Sequence, residues 1–179
     1  MRFKRVGIVV AAVAALAMGA MTSSAYAGTG PAPGASSGER TAVRSTAPSA
    51  AGNPASARAQ ASGVCDDAYQ IGATTYLGDD GNGGHWVSLK QFYSPKCQQN
   101  YGYIWVWDSY LTQYPDPYEI RIGVWDKATN KVLGQVITKD TRAQEFWSQG
   151  TSTVKDCTRA DGYFISPVES IYTQTALRC

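Results

Sequence analysis

Histidine is nearly missing from this chain: its 179 residues include one, His85. A Ser-His-Asp hydrolase would have to be built on that residue, and Gly-x-Ser-x-Gly, the usual setting of its serine, is absent. Close cysteine pairs are also missing. The nearest two are Cys157 and Cys179, so no Cys-x-x-Cys zinc site can form. Beyond Met21 there is no methionine, which removes one oxidation liability. No phosphate-binding glycine motif occurs, and Gly81–Gly84 opens no predicted helix. Asp79-Asp80-Gly81-Asn82 offers clustered oxygens. However, the fifth position of an EF-hand pattern falls on Gly84 and no glutamate closes the loop, so it reads as a plain turn without metal. No stretch keeps a helical apolar period, and no motif calls for a cofactor.

A basic field is lacking where it would matter. Six basic residues and one acid (Glu39) fall within the first 62 residues, leaving ten basic against thirteen acidic residues in the rest. A mildly acidic domain does not attract a phosphate backbone, which excludes nucleic acid as the expected partner.

What the chain does have begins with an export signal. Arg2, Lys4 and Arg5 precede an apolar run from Val6 to Ala20, followed by small residues and Ala25-Tyr26-Ala27. This order predicts a signal peptide over 1–27, cleavage before Gly28, and a secreted, extracellular protein free of the membrane. Residues 28–62 are mostly Ala, Gly, Ser, Pro and Thr, without an aromatic ring. They cannot bury enough apolar surface to offset chain entropy, which predicts a disordered tether or pro-segment. From residue 63 to Cys179 the composition is that of one folded domain.

Within 63–179, short β-rich runs alternate with turn signals. Strands are predicted over Tyr69–Leu77, Trp86–Tyr93, Tyr101–Tyr110, Tyr118–Trp125, Val132–Thr138, Thr151–Cys157, Tyr163–Ile165 and Ile171–Arg178. Thr141–Trp147 reads as a helical turn or a poor strand, and Asp161-Gly162 as a turn. Seven to eight such strands predict an all-β, antiparallel sandwich or barrel. All four cysteines, Cys65, Cys97, Cys157 and Cys179, lie in this part, and an even count in an exported chain implies disulfides. Of the three possible pairings, Cys65–Cys97 with Cys157–Cys179 is favoured, because its short loops keep the partners close.

The run Tyr101–Tyr110 organises the rest. With period two, Tyr101, Tyr103, Trp105 and Trp107 share one side, while Gly102, Ile104, Val106 and Asp108 share the other. Both sides are apolar over most of its length, so the strand is either covered twice or presents a bare aromatic platform. Those four rings are the candidate ligand-binding residues, and a glycan or a protein is the candidate partner. The expected compromise is a buried Trp105 with Tyr101 as the most exposed of the four. The competing expectation is an extracellular hydrolase using His85 or the strand carboxylates Asp108 and Glu119. Most other acids sit at turns, where turn chemistry alone accounts for them.

The run Val87–Cys97, ending Tyr-Ser-Pro-Lys-Cys, followed by Tyr101–Val106 with its Trp105, resembles a family of small secreted domains of Gram-positive bacteria. In that family a strand ending Tyr-Ser-Pro-x-Cys is followed by a Trp-bearing strand, and the function is unknown. The spacing of the four cysteines also resembles small spore-associated secreted proteins. Both resemblances imply an exported β domain, and neither supplies a catalytic residue.

Overall fold

The computed structural model describes residues 44–179, so the expected signal peptide and residues 28–43 of the expected tether lie outside it. The described residues form eight strands in two four-stranded antiparallel sheets, with two short helices. The first sheet sets β1 (Tyr69–Leu77), β2 (Val87–Ser94), β3 (Gln99–Val106) and β6 (Glu145–Trp147) side by side. The second has the order β5 (Lys131–Thr141), β4 (Tyr118–Asp126), β7 (Thr158–Ile165) and β8 (Ser170–Gln174). Helix α1 (Ala57–Ala61) precedes both sheets, and α2 (Asp108–Gln113) carries the chain from one sheet to the other. Of the two architectures expected, this is the sandwich.

Leu89 and Ile104 from the first sheet meet Ile120, Ile122 and Phe164 from the second in the main core. The sheets come very close at Gly162, where a Cβ would lie 2.9 Å from Leu89 Cδ1. Asp161-Gly162 is therefore inside β7 and not a turn. The glycine admits the opposite sheet, and the Asp161 carboxylate accepts hydrogen bonds from Tyr172 Oη (2.8 Å) and Gln174 Nε2 (2.7 Å). Thr151–Cys157 is not a strand either. It contributes one isolated bridge, Thr151 to Asn100, before turning. The strand expected over Tyr101–Tyr110 stops at Val106, and Asp108 opens α2.

Both disulfides form as favoured, Cys65–Cys97 and Cys157–Cys179. The first ties the start of the domain to the β2–β3 turn, and the second ties the C-terminus to the segment leading into β7.

The outer face of the first sheet is covered as well. Phe92, Tyr101, Tyr103, Trp105 and Trp147 form a second apolar cluster with Ala59, Val64 and Ala68. Disorder over 28–62 is thus corrected from residue 44 onward: residues 44–64 lie as a strap across this face, and Ser56 and Ala59 are fully buried. Small residues bury little of their own surface, but here they shield large rings, and most of the burial free energy comes from the sheet side.

Candidate functional site

The fold separates the four candidate rings Tyr101, Tyr103, Trp105 and Trp107. Tyr101 and Tyr103 are 0% exposed and Trp105 is 9% exposed, all three beneath the strap. The expectation that Tyr101 is the most exposed ring is corrected: its hydroxyl accepts from the Cys65 amide (3.3 Å) and donates to Gln99 Oε1 (2.8 Å). Burial, reinforced by the Glu145 carboxylate, pushes the Tyr103 hydroxyl well above its ordinary pKa. Trp107 alone is half-buried: it follows the end of the strand, packs against the rim of the second cluster with Ala50, and keeps part of its surface open.

Trp107 opens onto a cavity of about 510 Å³ lined by Tyr76, Asp80, Gly84, His85, Trp107, Asp108 and Ser109. The topology explains the meeting. Because β1, β2 and β3 are consecutive antiparallel neighbours, the β1–β2 loop and the end of β3 share one end of the sheet. Trp107 is fixed by Nε1–H donation to Ser88 Oγ (2.7 Å) and by its own amide, which donates to the Trp86 carbonyl (2.8 Å). Across from it, Tyr76 and His85 stack with ring centroids 4.5 Å apart at 20°. Tyr76 is 45% exposed, so a flat face stands open at the cavity mouth.

The polar groups are held just as firmly. Asp80 Oδ1 accepts from the amides of Asn82 and Gly84, both at 2.8 Å. Those amides hold the Asp80 carboxyl below the ordinary carboxylate range. Asp108 Oδ1 accepts from Gln144 Nε2 at 2.8 Å. Ser109 Oγ donates to the His85 carbonyl (3.1 Å), and His85 Nδ1 lies 3.3 Å from the Gly78 carbonyl. The hydrogen bonds of serine and imidazole therefore run to main-chain oxygens and not to each other. Among the described residues, no cluster of three or more His, Cys, Asp or Glu side chains is placed to hold a metal ion.

Of the expected hydrolase residues, His85 and Asp108 share this cavity, but Glu119 does not. Glu119 lies on β4 in the other sheet, paired with Arg121 (2.6 Å) and Lys139 (3.8 Å). Tyr76 and Ser109 are not picked out as site residues by the sequence, and Asp80 enters there only within a turn weighed for metal and set aside. The signal available for them was the antiparallel order of the first three strands, which folds the glycine-rich loop back beside Trp107. No family model, curated protein or solved structure matches the chain.

Proposed function

We propose that this is an exported, non-catalytic binding module for a glycan of the cell envelope or of extracellular polysaccharide. The observation that carries the reading is the cavity at one end of the first sheet. It combines open aromatic faces, from Tyr76, His85 and Trp107, with fixed carboxylates from Asp80 and Asp108. Rings of this kind stack on the apolar faces of sugars, and carboxylates with settled orientation accept sugar hydroxyls. Export rests on the signal over 1–27 and its Ala25-Tyr26-Ala27 site, and the two disulfides accord with an oxidising compartment. No helix among the described residues is long and apolar enough to cross a membrane. The resemblance of 87–106 to small secreted Gram-positive domains belongs to the same reading.

The test is titration of the secreted chain with cell-wall and polysaccharide preparations, alongside Tyr76→Ala. Binding that weakens on loss of Tyr76 supports the assignment, and binding indifferent to it rejects the cavity. A second reading draws on the same place: His85, Asp108 and Ser109 line one cavity, as a hydrolase would require. Release of shorter saccharides during the titration, abolished by His85→Ala, would establish that reading instead. N-terminal sequencing of secreted material should begin at Gly28, and a chain still starting at Met1 would overturn the export assignment.

A further inference from the structure

Building on the glycan reading above, we infer that the cavity at the end of the first sheet selects a positively charged sugar. Its ligand is a hexosamine whose amine is free, preferred over the neutral N-acetylated form.

The lining is one-sided in charge. It holds two carboxylates, Asp80 and Asp108, and neither lysine nor arginine. His85 is its one basic side chain, and that ring is stacked on Tyr76. Each carboxylate is anchored through one oxygen. Asp80 Oδ1 accepts from the Asn82 and Gly84 amides, and Asp108 Oδ1 accepts from Gln144 Nε2. Among the described residues, no side-chain donor or amide is bonded to Oδ2 of either one. Two negatively charged acceptors are therefore held in place and left for a ligand.

Gly84 keeps the first of them clear. A Cβ at Gly84 would lie 2.2 Å from Asp80 Oδ2, and Gly84 lines the cavity. It is not one of the glycines with positive φ, so room beside the carboxylate, and not backbone conformation, is what a side chain would disturb.

The rings favour the same charge. Tyr76 is exposed and Trp107 half-buried, and an aromatic face attracts a cation as well as the apolar face of a sugar. A neutral sugar gains from the rings and offers hydroxyls to the carboxylates. An ammonium adds a full charge and three donors, where an acetamide brings one N–H and no charge. A bare metal ion is served less well, because no three His, Cys, Asp or Glu side chains among the described residues are placed to hold one.

The experiment is calorimetric titration of the whole chain with glucosamine oligomers and with N-acetylglucosamine oligomers of equal length. The free-amine oligomer should bind about tenfold more tightly, with a preference that shrinks as salt is raised. Asp80→Asn and Asp108→Asn keep the side-chain shape and can be made separately. Each should weaken the free-amine oligomer about threefold, and the double variant should bind both oligomers alike. Asp156→Asn removes the same charge beside Tyr93 and Asn100, at the opposite end of the first sheet, and should bind like the parent. Equal affinity for the two oligomers, still lost in Tyr76→Ala, overturns the charge preference and leaves the glycan reading standing. A preference weakened as much by Asp156→Asn is general attraction to an acidic protein, and overturns it as well. Binding of neither oligomer also overturns it, and the wall titration above then decides the glycan reading separately.

Discussion

At the scale of single residues, burial sorts the aromatic side chains into two trades. Trp105 sits under the strap with its ring in the second cluster, so Trp105→Ala should leave a cavity and cost about 3–5 kcal/mol in urea or thermal unfolding. Lys90 gives a second prediction. Burial pushes its pKa down to about 8, so the folded state sheds a proton that the unfolded chain keeps until near its ordinary value of 10.5. Between those values the unfolded state binds more protons, and stability from this group rises with pH. Tyr103 on β3 and Glu145 on β6 share its face, and the raised pKa values of Tyr103 and Tyr172 act oppositely, withdrawing stability above about pH 10. Urea midpoints should therefore climb from pH 8 toward pH 10, and Lys90→Met should flatten that climb. A parent protein equally stable across the window would contradict the buried amine.

At the scale of elements, the disulfides close loops with separations of 32 and 22 residues. Chain entropy gives each about 3–4 kcal/mol of stabilisation. Replacing Cys65 and Cys97 together with serine should cost that much in a denaturant melt, and an unchanged midpoint would argue against the bridge. Both pairings were legible beforehand because short separations keep cysteines near each other. Strand β1 was legible too, with its limits Tyr69 and Leu77 read directly from its β-rich run. Elements were misread where a distant partner overrides local preference. Asp161-Gly162 has the composition of a turn, yet Leu89 from the other sheet leaves no room for a side chain at Gly162, and Tyr172 and Gln174 satisfy the Asp161 carboxylate. The strand from Tyr101 was drawn too long because Trp107 continues its alternation, while the polypeptide turns into α2 at Asp108.

At the scale of the molecule, the two apolar faces of β3 already called for cover on both sides. One cover is the second sheet. The other is residues 44–64, nearly all of them within 28–62, whose composition argues against any structure. Its small residues bury little surface of their own, but they shield large rings that come from elsewhere in the chain. The candidate site was legible in part for a related reason. His85 and Trp107 stood out by rarity and by ring, but Tyr76, Asp80 and Ser109 become neighbours only once three strands are folded side by side. Stability is thus assigned to the rings beneath the strap, and the proposed glycan recognition to the rings at the sheet's end.

The measurement that separates those assignments most directly is calorimetric titration of cell-wall glycan into the parent chain, Trp107→Ala and Trp105→Ala, each held below its own melting temperature. Trp107→Ala should melt modestly below the parent, because its ring packs against the second cluster and its Nε1–H bonds buried Ser88, and should lose glycan binding, while Trp105→Ala should melt far lower and bind like the parent. Glycan binding by Trp107→Ala at the parent's affinity would contradict the assignment.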